Sequence, residues 1–141
     1  MLVYIAQMRS EELTIRTGGR ATVRDLTAEC EAFVPEGADG LLSVFVPHAT
    51  AGVAILETGA GSDTDLLSIL DTLLPRDSRW SHRHGSQGHG RDHVLPAFIA
   101  PSLTVPVVGG RLQLGTWQSV CLVDTNVDND ERTVRLSFLA G

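Results

Sequence analysis

The segment LLSVFVPHATAGVAILE, residues 41–57, contains two apolar runs separated by a short polar turn. The runs 41–47 and 52–57 are partly β-branched and bounded by Gly and Pro, a pattern typical of buried strands. The turn between them carries His48. We therefore expect two core strands here, with His48 at a strand end.

The sequence before this segment contains two further short strand patterns and one short helix. Residues 13–17 and 21–25 are predicted strands on either side of the turn signal Gly18-Gly19. Thr27 is the predicted N-cap of a helix over 28–33, because a threonine hydroxyl can accept a hydrogen bond from the first turn.

The sequence after it contains one clear helix and several strands. Apolar residues recur at helical spacing over 62–74, with Ser62 or Asp63 as N-cap and Pro75 as terminator. The later strand patterns are 103–108 and 111–115 around Gly109-Gly110, 117–124, and 132–138, in which Val134, Leu136 and Phe138 should face the core. Strands without a regular βαβ rhythm indicate an α+β fold. We expect strand-rich mixed or antiparallel sheets with two or three helices.

Composition limits the class of protein. The 141 residues, 43% of them hydrophobic, suit one domain over 1–141. A net charge of −6 without a basic cluster argues against nucleic acid as a partner. The sequence has neither a signal-peptide pattern nor an apolar run of membrane-spanning length, so we expect a soluble, cytoplasmic protein with no membrane partner. Cys30 and Cys121 lie far apart and are expected to be core residues.

The stretch WSHRHGSQGHGRDH, residues 80–93, holds four of the five histidines. If residues 82–84 are extended, the side chains of His82 and His84 project to the same side. If residues 89–93 are helical, His89 and His93 share one face. Imidazoles at such spacing can bind a divalent metal, for which zinc is a candidate, and a catalytic zinc typically has three protein ligands. A solvated polar loop is the alternative. Gly90 stands where the H-E-x-x-H motif carries its glutamate, so that metalloprotease mechanism is excluded.

Three other positions have both a structural and a functional interpretation. His48 is either a hydrogen-bonded turn residue or a ligand, and Glu57 lies either at an exposed strand end or beside a site that shifts its pKa. The turn 115–118, Gly-Thr-Trp-Gln, is either a bend with a packed indole or a turn whose amides and hydroxyl meet an anion.

Several motifs in fixed order resemble the YjbQ family, the secondary thiamine-phosphate synthases. They are PHATAGVAILE (47–57), WSHRH (80–84), GRDHVLPAFIAPS (90–102), LTVPVVGGRLQLGTWQ (103–118) and RTVRL (132–136). The resemblance implies a compact α+β domain assembled as a homotrimer. It also implies a cleft near a subunit boundary, in which histidines gather and a metal is often found.

The resemblance further implies a metal-assisted enzyme that acts on a phosphorylated small molecule. It implies a weak thiamine-phosphate synthase activity, which joins a hydroxymethylpyrimidine diphosphate to a thiazole phosphate with loss of pyrophosphate. Carried over by position, the metal ligands are His48, His82 and His93, with His89 in reserve. Glu57 is the catalytic base or orients a ligand histidine, and Arg132 neutralises the phosphate. The substrate-binding residues are Thr50, Gly115, Thr116, Trp117 and Gln118.

The chain also departs from the family pattern. Leu56 replaces an Asn, Ala49 a Thr, Trp80 a Tyr and His89 an Asn, and Asp130 stands where an Arg is usual. Losing that arginine removes a bidentate partner for a diphosphate, so substrate preference is expected to differ. A non-catalytic metal- or metabolite-binding homotrimer is the rival prediction, and a structural trimer without ligand is a third.

Overall fold

The computed structural model describes residues 7–141 and contains eight strands, two α-helices and two 3₁₀ helices. In chain order they are β1 (Met8–Arg16), β2 (Thr22–Asp25), α1 (Thr27–Phe33), β3 (Gly40–Phe45), β4 (Ala51–Leu56), α2 (Ser62–Leu73), the 3₁₀ helices His89–Arg91 and Leu95–Ala97, β5 (Ser102–Val108), β6 (Arg111–Leu112), β7 (Ser119–Asp124) and β8 (Glu131–Ala140).

The strands form two antiparallel sheets. The larger has the order β1-β8-β3-β5-β6, and the smaller has the order β2-β7-β4. The predicted α+β, strand-rich fold is thus confirmed. β3 and β4, the two strands of the opening segment, belong to different sheets, so the turn that contains His48 passes between them.

The main core lies between the two sheets. Val134, Leu136 and Phe138 of β8 are at most 2% exposed, as their alternation predicts. They belong to one cluster with buried residues of the smaller sheet, such as Val53 and Leu122. Cys30 and Cys121 are both buried and form no disulfide, as expected.

Both predicted helix caps are wrong. Thr27 begins α1, but its hydroxyl accepts a hydrogen bond from the Val120 backbone N–H at 3.0 Å and so holds the helix against β7. At α2 the residue before the helix is Gly61, which has a φ of 103° and no side chain to form a cap. At α1 a tertiary contact thus takes the hydroxyl, and α2 begins without a side-chain cap.

The irregular segment between α2 and β5 packs on the smaller sheet and carries the histidines. A second apolar cluster holds it there, formed by Leu70, Leu74, Leu95 and Val123, with Ile99 packed against it. None of the helices in residues 7–141 is long and apolar enough to cross a membrane.

Candidate functional site

Three imidazole side chains converge in the irregular segment. His82, His89 and His93 each offer a ring nitrogen, and these atoms lie within 4.8 Å of one another. The Nε2 atoms of His89 and His93 are 2.9 Å apart. Within the described part of the chain this is the one group of three metal-ligating side chains with such convergence. We call these three residues the histidine cluster.

Local backbone geometry produces this convergence. The 3₁₀ helix His89–Arg91 continues as a further turn, since Asp92 N–H donates to His89 C=O at 2.9 Å, and this brings His89 and His93 to one face as predicted. A Cβ on Gly90 would lie 2.4 Å from Trp80 Cβ and 2.6 Å from His82 O. Only glycine at this position therefore lets the segment with His82 approach the helical turn so closely.

The chemistry of the cluster fits a metal ion. His82 Nε2 is buried and has no hydrogen-bond partner within residues 7–141. Burial and the neighbouring His84 and His89 lower the pKa of His82. Burial and the neighbouring imidazoles of His82, His89 and His84 lower the pKa of His93, while the charge of Asp92 opposes that shift. Neutral imidazole is the form that binds metals. A metal ion would therefore satisfy an orphaned buried nitrogen.

Two aspartates lie behind His89. Asp128 Oδ2 is 2.8 Å and Asp92 Oδ2 is 3.6 Å from His89 Nδ1. The 2.8 Å contact is at ion-pair distance, and His89 Nδ1 makes no hydrogen bond within the described residues. A carboxylate at this nitrogen is the usual outer partner of a metal-binding histidine.

Both aspartates are themselves held in place by hydrogen bonds. Asp92 is fully buried and accepts hydrogen bonds from Thr125 Oγ1 at 2.6 Å and from Arg76 Nη2 at 3.1 Å. Asp128 accepts from the Ser86 backbone N–H at 3.1 Å, and that bond contributes most to holding the pKa of Asp128 below its usual range. Sequence reasoning missed these aspartates, although Asp92 stands between two of the clustered histidines in the sequence.

A cavity of about 200 Å³ opens beside the histidine cluster. His82 and His89 form part of its wall, together with Trp80, Arg83 and the loop Gly85–Gly88. Trp80 is fixed by a hydrogen bond from Nε1 to Pro75 O at 2.8 Å. The cluster is therefore accessible to a small ligand.

His48, the third predicted ligand, does not belong to the cluster. Its Nε2 accepts a hydrogen bond from the Thr133 backbone N–H at 2.9 Å. Burial and the charge of Arg132 lower its pKa, while Asp124 opposes this shift. The structure thus brings together two of the three predicted ligands, His82 and His93, and adds the reserve ligand His89. The ring of His84 lies 4.0 Å from that of His82 but outside the group of three.

Arg132 and Thr50 lie inside the protein. Arg132 is 2% exposed, and its guanidinium donates to both carboxylate oxygens of Asp124 at 2.7 and 3.0 Å. It also donates to Thr50 Oγ1 at 2.9 Å, and Thr50 in turn accepts from Asn126 at 3.1 Å. This arginine is already neutralised within the protein, contrary to the expectation that it faces a phosphate.

The other predicted site residues lie at the far end of the smaller sheet. Leu56, before Glu57, pairs with Ser119, whereas Ala51 at the other end of β4 pairs with Asp124. The histidine cluster contacts the chain just after Asp124, and six strand residues span roughly 20 Å. Within one chain, Glu57 and the turn 115–118 are therefore remote from the cluster. Trp117 is 73% exposed, so its indole is not packed, and Gln118 Oε1 accepts from Gly115 N–H at 2.8 Å.

Proteins of similar sequence are found in bacteria. The chain is 61% identical over 134 residues to the UPF0047 protein Rv2556c of Mycobacterium tuberculosis, covering 95% of this chain and 100% of that protein. It is 36% identical to UPF0047 protein YugU of Bacillus subtilis, over 77% of this chain and 83% of that protein.

Two solved structures have the same fold. The hypothetical protein APE1520 of Aeropyrum pernix matches with a TM-score of 0.84 and 34% identity, covering 94% of this chain and 99% of that one. A YbjQ-like protein of unknown function from Sulfolobus solfataricus matches with a TM-score of 0.87 and 22% identity, covering 97% and 100%. Residues 11–141 match the family model described as UPF0047 protein YjbQ-like. The chain therefore belongs to the YjbQ-like UPF0047 family.

Proposed function

We propose that this protein is a metal-dependent enzyme that acts on a small phosphorylated molecule. The observation that carries the proposal is the histidine cluster, in which three ring nitrogens lie within 4.8 Å and one of them is buried without a partner. His82, His89 and His93 would hold the metal, and zinc is the first candidate because imidazole is one of its preferred ligands.

The site suits a reactive metal better than a structural one. Structural zinc sites are closed by four protein ligands, whereas catalytic sites keep one position open. Here two of the three donor residues, His82 and His89, line a cavity of about 200 Å³. When bound, such a metal supplies Lewis-acid polarisation of a phosphoryl oxygen or activation of a bound water. Asp128 orients His89, and Arg76 and Thr125 hold Asp92 in place.

The size of the cavity favours one small substrate. Sites for drug-sized ligands usually measure roughly 300–1,000 Å³, more than the about 200 Å³ found here. The thiamine-phosphate synthase reaction needs two substrates together, so it requires additional space from a neighbouring copy in the proposed homotrimer. The same assembly would be needed to bring Glu57 or the turn 115–118 to the cluster. We therefore propose that these residues act at the histidine cluster of a neighbouring chain in the trimer.

The first experiment measures metal content by mass spectrometry in untagged protein, with sedimentation to determine the oligomer. We expect one metal per chain in a particle of three times the 15.1 kDa chain mass. The triple variant with His82, His89 and His93 changed to Ala should lose the metal, while His48→Ala should retain it. Metal in the triple variant, or none in the wild type, would refute the proposal.

Catalysis is then tested with phosphorylated substrates, including the two substrates of the synthase reaction. Turnover that is lost in His82→Ala, lost in Glu57→Gln, and recovered when the two variants are mixed would support a shared trimeric site. Recovery requires that one intact site forms between two different chains.

A second candidate is a non-catalytic metal- or metabolite-binding homotrimer. The positions of Arg132 and Glu57 favour it, since neither group reaches the cluster within one chain. Stoichiometric metal and ligand binding without turnover of any substrate would establish this function.

A further inference from the structure

Arg83 differs from the other arginines around the site in having no carboxylate partner. Four arginines are each paired with an aspartate: Arg76 with Asp92, Arg79 with Asp77, Arg91 with Asp71 and Arg132 with Asp124. The Arg83 side chain makes one hydrogen bond within residues 7–141, from Nε to Trp80 O at 3.4 Å. Its two terminal nitrogens therefore have no partner in the described part of the chain.

Arg83 also lines the cavity that the histidine cluster adjoins. The same wall contains His82, His89 and the loop Gly85–Gly88. Asp77 is the acidic residue on this wall, and its carboxylate is bound by Arg79 Nε at 2.9 and 3.0 Å. The unpaired charge facing the cavity is thus positive, in a chain whose net charge is −6.

We propose that Arg83 and this cavity form a subsite for the phosphate group of a small phosphorylated ligand. A guanidinium can bind two phosphate oxygens at once, which gives both charge and orientation. About 200 Å³ has room for roughly seven water molecules at about 30 Å³ each, which suits a phosphate with a small organic group. The inference rests on the proposed function and transfers to Arg83 the role that the family resemblance assigned to Arg132.

The test measures the affinity of inorganic phosphate by titration calorimetry at low salt, using the full chain with metal and after chelator treatment. Arg83→Gln should weaken phosphate binding about tenfold or more, because a hydrogen-bonded charge pair is lost. Arg83→Lys should bind with intermediate affinity, since it keeps the charge but not the planar fork. Arg111→Gln, the matched control, removes the same charge from β6 and should leave the affinity unchanged.

The outcomes separate this inference from the proposed function. Unchanged phosphate affinity in Arg83→Gln, an equal loss in Arg111→Gln, or no phosphate binding by the wild type overturns the subsite, even if metal is bound. A loss specific to Arg83 in a protein that binds no metal supports the subsite and refutes the metal-dependent function. Metal content and the thermal unfolding midpoint of Arg83→Gln should equal those of the wild type, because this side chain is exposed and its one hydrogen bond within residues 7–141 is the 3.4 Å bond to Trp80 O.

Discussion

At the scale of single residues, Asp128 is the group that would orient His89 toward the proposed metal. Its carboxylate lies 2.8 Å from Nδ1, where it would favour a proton on that nitrogen and leave Nε2 unprotonated for the proposed metal. Asp128→Asn should weaken zinc affinity by roughly 10-fold or more, the usual effect of losing such a partner. Competition with a chromogenic chelator measures this. Asp130→Asn is the control, because it removes the same charge from the same loop and should bind zinc with wild-type affinity. Equal losses of zinc affinity in both variants would show that the effect comes from the net charge of the loop and not from the contact between Asp128 and His89.

His48 has a different role, which is visible in the pH dependence of stability. Its Nε2 accepts a hydrogen bond from Thr133 N–H, which the protonated ring cannot do, and its pKa lies below the ordinary value of 6.5. The folded protein therefore binds this proton less readily than the unfolded chain. The stabilisation is present above about pH 6.5 and is lost as the pH falls through the lower, folded-state pKa.

We expect His48→Gln to reduce the loss of stability as the pH falls below about 6.5, because glutamine can accept the hydrogen bond without titrating. Urea unfolding of chelator-treated protein across this range provides the measurement. His82 and His93 also have lowered pKa values and contribute to the slope in both proteins, so the difference between the two slopes belongs to His48. Identical slopes would contradict this assignment.

At the scale of elements, Gly90 joins the segment with His82 to the helical turn with His89 and His93. A methyl group there would lie 2.4 Å from Trp80 Cβ, so Gly90→Ala must move the two pieces apart. We expect loss of bound metal and a lower thermal unfolding midpoint. Gly59→Ala is the control, because Gly59 has a φ of 80° and no atom within 4 Å of an added Cβ. Gly59→Ala should lower the unfolding midpoint through backbone strain but keep its bound metal. A Gly90→Ala protein with full metal content would show that metal binding does not need the close approach of the two segments.

The sequence predicted those elements whose side-chain pattern follows the backbone period. Helix α2 was predicted over 62–74 and found over Ser62–Leu73, and the alternation of β8 correctly identified its buried face. The four-residue spacing of His89 and His93 likewise placed both on one face. Periodicity is a local property, and the sequence therefore displays it.

Contacts between distant elements were not predictable in this way. The hydroxyl of Thr27 suits an N-cap, yet its partner is Val120, 93 positions later in the chain. Neither His48 nor Arg132 carries a local signal that tells a ligand-facing side chain from one that is hydrogen-bonded internally. The family motif gave their positions but not the direction in which their side chains point, and Asp128 had no local signal at all.

At the scale of the whole molecule, the Arg132–Asp124 pair connects the two sheets. Arg132 lies in β8 of the larger sheet and Asp124 in β7 of the smaller one, and both are almost fully buried. Thr50, in the turn immediately before β4, accepts a hydrogen bond from the same guanidinium. The pair therefore fixes how the sheets meet at the end of the molecule where the histidine cluster lies.

Removing one partner of this ion pair should strongly lower the free energy of unfolding. Arg132→Met leaves the Asp124 carboxylate buried without its cation, and the expected loss in the free energy of unfolding is about 3–5 kcal/mol. The double variant Arg132→Met with Asp124→Asn should be more stable than the single one, because asparagine carries no charge yet can still accept from Asn126 N–H. Urea unfolding of both variants and of Asp124→Asn completes the cycle. An Arg132→Met protein with wild-type stability but no activity would instead restore the phosphate-binding role that the sequence assigned to Arg132.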